Sequence, residues 1–418
     1  MRKITCDPQN IAVRDIVKDY NEKKMAVVKS FQRREVWRKN TINEYIESVS
    51  EGSAVSGIIV ADIESGIEAS EAHGDFRGLE RYNRLFNDGM RTVNEDGQNR
   101  LRKGLIAFID NEITFTGTLY DLEYNKRQFK NIKFEKLPME FQQAFLSSTV
   151  VMVTIKNAPF NKLPHIFRKL NSGEPLNRTE MRQSFQTDIS DWIRKHSEGS
   201  YHEMWSKFSG CNEQAIKRMR DIEWFTQSFM SCNSYTKDRF FRDPDMDQFY
   251  KIGENKTLDD VPEYSESERR RFTSILDVVN NTVAQQQTVP ASKRIPQRTF
   301  WALLTVAEYF YDSMEGYKVH SYDQFYKEVY QIDSRLVNES KVQQSVDLQQ
   351  AKKNFPHYGE GELSAMAPDK NYYWSQCRRM ETPENRRKRQ TTLIGAVRTS
   401  ISSGQFTSIY ETEELAAK

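Results

Sequence analysis

Hydrophobic positions recur along this chain with two periods, and the balance between them shifts near residue 180. Residues 10–20 place Ile11, Val13, Ile16 and Val17 at helical spacing, and Met25-Ala26-Val27-Val28 reads as a short strand. From Thr41 to Val49 the residues Ile42, Tyr45, Ile46 and Val49 share one helical face. Thr41 is the expected N-cap there, with Glu44 completing a capping box and Gly52 in the terminating turn. Gly57–Ala61 reads as a buried strand. Residues 63–92 are polar, carry Gly66, Gly74, Gly78 and Gly89, and predict only a short helix near Leu79–Phe86. Val93-Asn94-Glu95 leads into the turn Asp96-Gly97-Gln98-Asn99-Arg100, then a helix through Leu101, Leu105, Ile106 and Ile109. Ile113–Thr116 and Thr118–Leu122 predict a strand pair turning at Gly117. Val150–Ile155 is the clearest β-branched strand, and a helix over Leu163–Leu170 is expected to end at Asn171-Ser172-Gly173.

Beyond residue 180, apolar residues recur at helical spacing over 185–232, 300–315 and 322–337. An acidic loop with Pro262 is expected over 253–266, and a frayed tail from 404 onward. The expected architecture is an α/β (α+β) domain over residues 1–185, followed by a mostly α-helical domain over 186–418.

Composition narrows the class. The 418 residues are 37% hydrophobic and 29% charged, but 24 Phe, 19 Tyr and 6 Trp supply enough large apolar side chains for a folded core. The formal net charge is only +2, so any nucleic-acid contact must come from local patches. Cys6, Cys211, Cys232 and Cys377 form no Cys-x-x-Cys pair, which argues against a cysteine zinc site. No apolar run suits a leader peptide or a membrane span, so a cytoplasmic setting and no membrane partner are expected.

Three segments are candidates for chemistry. In Asp96–Arg100, a strand-to-helix turn frees backbone amides for an anion, Gly97 permits close approach, and Arg100 suits a phosphate. Asp96 suits a divalent cation or the proton of an attacking hydroxyl. An ordinary turn with a solvent-facing arginine explains the same spacing. Phe31-Gln32-Arg33-Arg34-Glu35-Val36-Trp37 sets Gln32 and Arg33 between two aromatics, either for phosphate or as a basic loop pinned by Trp37. In Asn171-Ser172-Gly173-Glu174-Pro175-Leu176-Asn177, Asn171 either closes over a ligand or belongs to simple helix capping.

In this order the three segments resemble the ParB-like family at the N-terminus of GmrSD-type modification-dependent restriction proteins. That family's signature is an aromatic-Gln-Arg…Trp segment, an Asp-Gly-Gln-Gln-Arg motif and a Leu-Asn-Ser-Gly…Leu-Asn segment. The resemblance covers about residues 10–185 and departs at Asn99, where a second Gln is usual, and at Phe31, in place of a common Tyr. It implies a ParB-like fold that binds and hydrolyses a nucleoside triphosphate (ATP or GTP) with Mg²⁺. By position it implies nucleotide contacts from Gln32, Arg33, Gly97, Gln98 and Asn171, catalysis by Asp96 and Arg100, and metal binding by Asp96. The Asp-His-Ile-x-Pro run of the HNH nuclease that accompanies this family is missing, and the six histidines never pair at ligand spacing.

Two readings follow. One is an NTPase, or a kinase that phosphorylates a hydroxymethylated base in viral DNA, with modified DNA and a separate effector protein as partners. The other is a non-catalytic DNA-binding adaptor of a restriction or anti-restriction system. DNA contact is expected from Arg378, Arg379, Arg386, Arg387, Lys388 and Arg389, six basic residues against two acidic ones over 378–389 and next to Tyr372, Tyr373 and Trp374. Lys293, Arg294 and Arg298 form a smaller basic patch. A solvated helix face explains the same residues.

Overall fold

A computed structural model describes residues 2–27, 37–53, 57–163, 165–166, 177–185, 187–254, 256–290, 292–313, 317–354, 373 and 382–410. The chain divides into two compact units, Met1–Gln186 and Thr187–Lys418. The first is mixed α/β and the second is helical.

The strands of the first unit are β1 (Thr5–Ala12), β2 (Met25–Val27), β3 (Ile58–Asp62), β4 (Thr92–Asp96), β5 (Phe115–Tyr120), β6 (Lys126–Ile132) and β7 (Thr149–Lys156). Five of them form a mixed sheet in the order β1-β7-β3-β4-β2, and β5 pairs with β6 separately. The helices are α1 (Val13–Asn21), α2 (Lys39–Glu51), α3 (Ile63–Ala72), α4 (Phe76–Asn87), a π-helix (Asn99–Ile106) that runs on into α5 (Ala107–Ile109), α6 (Met139–Ser147) and α7 (Arg178–Gln183). One face of the sheet, through Ile58, Val60 and Val150, packs on α1, α2, the π-helix and α6. The other, through Ala61, Val93 and Ile155, packs on α3, α4 and the Ala158–Leu163 segment. Strands covered on both faces explain why β3 and β7 read as apolar runs rather than alternating ones.

Several sequence expectations need correction. Helix α2 starts at Lys39 with Arg38 as N-cap and no side-chain cap, so Thr41 and Glu44 lie inside the helix. Gly52 does end it, in the left-handed conformation with φ 78°. Residues 63–92 hold two helices, not one, and each starts on an aspartate: Asp62 accepts from the Ser65 amide and Asp75 from the Gly78 amide. Gly66, which looks like a helix breaker, is a packing residue, since a Cβ there would sit 2.5 Å from the Tyr82 ring. Gly117 is not a turn. It lies within β5, at the register slip opposite Phe129, and the chain reverses at Asp121–Asn125. Strand β1 went unread because it is an exposed edge strand with no apolar period. Its Pro8 lacks an N–H, which an edge tolerates.

The second unit comprises α8 (Asp188–Glu198), α9 (His202–Ser206), α10 (Glu213–Lys217), α11 (Arg220–Cys232), α12 (Asp243–Lys251), α13 (Glu266–Gln285), α14 (Gln297–Ser313), β8 (Lys318–Val319), α15 (Tyr322–Asn354), α16 (Pro383–Ser402) and β9 (Ile409–Tyr410). Its centre is aromatic: Trp224 stacks on Phe300 at 5.6 Å and Phe225 meets Phe272 edge-on at 5.1 Å. The tail expected to fray from 404 is instead held through residue 410, because β9 pairs with β8. The buried Glu328 carboxylate also accepts from the amides and hydroxyls of Thr407 and Ser408. Residues 411–418 lie outside the described residues.

Candidate functional site

Strand β4 carries a bulge where the motif begins. Ile59 pairs with Asp96 and Val60 with Asn94, which leaves Glu95 as the extra residue. Bulges of this kind re-aim side chains and recur beside active sites. The Asn94 side-chain amide donates to the Asp96 carbonyl at 3.0 Å and fixes the strand end. Gly97 follows with φ 86°, and a Cβ there would stand 3.2 Å from the Gly57 carbonyl oxygen and 3.2 Å from the Ile58 Cα. Glycine is therefore required twice, for the left-handed backbone and for the close approach to β3. The Leu101 amide bonds the Gly97 carbonyl at 2.8 Å, and the helix begins.

Asp96 and Arg100 face each other across this turn. The Arg100 Nη1 donates to the Gly57 carbonyl at 2.7 Å and approaches the Asp96 Oδ2 at 3.4 Å. Both side chains keep partial solvent access, 22% for Arg100 and 30% for Asp96. The remaining guanidinium nitrogens of Arg100 make no bond among the described residues. The Gln98 Oε1 is buried without a hydrogen-bond partner, as is the Tyr45 hydroxyl. Burial pushes the Tyr45 phenol pKa up, partly offset by the Arg100 charge. Gly104 makes room for it, since a Cβ there would meet the ring at 2.4 Å. Trp37 packs edge-on against Tyr45 at 5.4 Å, with its side chain against the core.

Glu95 was not singled out by sequence reasoning. It is fully buried, neither carboxylate oxygen has a hydrogen-bond partner, and desolvation holds its pKa well above the usual carboxylate range. Burial thus favours the neutral form of this acid, one residue before the half-open Asp96 carboxylate. The missed signal was an acid inside a strand whose next acid already fills the exposed strand end.

The expected site residues divide into three groups. Asp96, Gly97, Gln98 and Arg100 lie together in one turn. Gln32, Arg33, Asn171, Arg378 and Arg379 lie outside the described residues. Strand β2 runs parallel to β4, with Val27 beside Asn94.

The late basic segment needs correcting. Arg386 is buried, donates to the carbonyls of Lys237 and Arg239, and stacks over Phe241. Arg389 is fully buried, donates to the Arg298 carbonyl at 3.2 Å and pairs with the buried Asp333 at 3.6 Å. Neither guanidinium is placed to meet a nucleic-acid backbone. Arg387 and Lys388 are at the surface, paired with Asp238 and Glu384 at 2.7 Å each. The smaller patch is also engaged, with Arg294 donating to the Cys211 carbonyl and Arg298 to Ser334.

Among the described residues no group of three or more His, Cys, Asp or Glu side chains is disposed to hold a metal ion, and no helix is long and apolar enough to cross a membrane. Comparison with protein-family models, curated proteins and solved structures found no match for the chain.

Proposed function

We propose that the first unit is a ParB-like nucleotide-handling domain, and that the protein is an NTP-dependent phosphoryl-transfer enzyme acting on DNA or gated by it. One observation carries this reading. A bulged strand, a left-handed glycine and a helix start bring a half-open carboxylate to 3.4 Å from a half-open guanidinium. Phosphoryl transfer asks little more of a protein than positioning and charge neutralisation. In this reading Arg100 grips the phosphates with its unused nitrogens, helped by the helix amides. Asp96 accepts the proton of the attacking hydroxyl. A Mg²⁺ ion suits a single carboxylate, because phosphate oxygens and water complete its coordination; bound there beside Asp96, it would neutralise phosphate charge. Gln32, Arg33 and Asn171 enter from the sequence resemblance alone.

The test incubates the purified protein with Mg²⁺, γ-labelled ATP or GTP, and plain or hydroxymethylated DNA. Label released as phosphate identifies an NTPase, and label on the DNA a base kinase. Asp96→Asn is expected to cost about 10²-fold in either rate. No movement of label in any combination overturns the proposal.

The adaptor reading has one observation in its favour. Asp96 and Arg100 are closed on each other, and Arg100 also holds the Gly57 carbonyl, so the pair must open before Asp96 can act as a base. Nucleotide binding that survives Asp96→Ala, measured calorimetrically and without turnover, would favour it.

A further inference from the structure

The β5–β6 ribbon carries a run of basic residues that form no ion pair with a described residue, and the functional reading above does not use it. The ribbon is fixed from one side. Helix α2 presents the Asn43 Oδ1, Glu47 Oε1 and Ser50 Oγ to the backbone amides of Thr116, Thr118 and Tyr120, at 3.4, 3.1 and 2.8 Å. Phe115, Leu119 and Phe129 anchor it to the core. Strand β6 pairs with β5 alone, so its second edge meets no strand among the described residues.

Residues 125–136 carry Lys126, Arg127, Lys130, Lys133 and Lys136 against one acid, Glu135. All five basic residues are exposed. None forms an ion pair with a described residue, whereas Arg387 and Lys388 are both neutralised by acids. Lys39 reaches the base of the ribbon, with its Nζ 3.2 Å from the Thr114 hydroxyl and 3.4 Å from the Asn131 side-chain oxygen. At the tip, the rings of Tyr120 and Tyr124 meet at 4.7 Å, tilted by 30°, and Leu122 and Tyr124 are 69% and 61% exposed. The tip also holds two acids. Asp121 is consumed by its own turn, accepting from the amides of Glu123 and Asn125, while Glu123 stays exposed.

We propose that this ribbon is a docking surface for duplex DNA, with Lys126, Lys130 and Lys133 contacting phosphates. A two-stranded ribbon fits the major groove of B-form DNA, about 12 Å wide, whereas the deep, narrow groove of A-form RNA excludes it. Lys126 and Lys130 are four residues apart along one strand, about 13 Å, which matches roughly four base-pair rises. Edge lysines also discourage strand addition. That role does not call for single-sign charge continuing past the strand to Lys133 and Lys136. The inference rests on the reading that DNA is a partner of this protein, and it moves the contact from the second unit to the first.

The experiment measures binding of the full chain to a short labelled DNA duplex by fluorescence anisotropy across a salt series. It compares wild type with K126Q/K130Q/K133Q and with R387Q/K388Q, after circular dichroism has shown each to be folded. The ribbon variant is expected to weaken binding at least tenfold and to lower the slope of log affinity against log salt by about one per lysine removed. The R387Q/K388Q protein should bind as wild type does. If wild type binds and only R387Q/K388Q loses affinity, the ribbon proposal fails and the DNA reading stands. If wild type does not bind duplex DNA at low salt, both fail. Equal or tighter binding to duplex RNA, or to vesicles of anionic phospholipid, also overturns the proposal.

Discussion

At the residue scale, the sharpest consequences come from two neighbours, Glu95 and Gly97. Burial raises the Glu95 pKa, and no described residue gives its carboxylate a hydrogen bond, so the folded protein favours its neutral form. Its folded pKa lies above its unfolded value, so the unfolded chain gives up this proton first as pH rises. Its contribution to stability is therefore greatest below about pH 4 and declines as pH rises toward the folded pKa. Glu95→Gln should raise stability at pH 7 by about 1.4 kcal/mol for each unit of upward displacement, with a higher melting temperature there, and should match wild type near pH 4. A calorimetric pH series reads this directly, and equal melting curves at pH 7 would contradict it. Gly97→Ala should lower stability by about 1–2 kcal/mol through the left-handed backbone alone, measured by urea titration. The proposed nucleotide handling should fall with it, because the added methyl crowds the Gly57 carbonyl that Arg100 holds. The Asp-Gly pair was legible in the sequence as a turn before a helix. The buried acid before it was not, because burial depends on the bulge and on what packs behind it.

At the element scale, α2 does for β5 what a neighbouring strand would do. Its polar residues Asn43, Glu47 and Ser50 recur at helical spacing and meet amides that recur every second residue. Glu47→Ala should expose the Thr118 amide, cost about 1–2 kcal/mol, and speed hydrogen exchange at Thr116, Thr118 and Tyr120 ahead of the rest of the sheet. Unchanged exchange there would show that the helix is not protecting the edge. Strongly patterned elements such as α2, β7 and the first half of α15 could be placed from apolar period alone, while α15 runs on to Asn354, past the periodic stretch. The start of α2 could not, since Thr41 and Glu44 form a good capping pair on paper but lie beyond a helix that opens at Lys39. The basic run at 386–389 misled for a related reason. Charge pattern counts cations but does not show that Asp333 and Asp238 come from distant positions to meet Arg389 and Arg387.

At the scale of the whole molecule, two cores imply two unfolding events. Trp37 is the only tryptophan before residue 187, and five lie beyond it. Tryptophan fluorescence therefore reports chiefly the helical unit, and hydrogen exchange in β3 and β7 reports the sheet. The two should give separate urea midpoints; coincident midpoints would show that the units unfold as one. Within the helical unit, Arg389→Ala should cost about 3 kcal/mol, because it removes a buried partner of Asp333. The change in character near residue 180 was readable from period, and the chain divides at Gln186. The ribbon adds a directional property. One flank of β5 is sealed by side chains that no incoming chain can displace without breaking α2, so the small sheet can grow only past β6. Any polypeptide that extends it must lie alongside Lys126, Arg127 and Lys130, none of which forms an ion pair with a described residue. Assembly through this edge is therefore biased by charge: a basic segment is repelled and an acidic one is attracted.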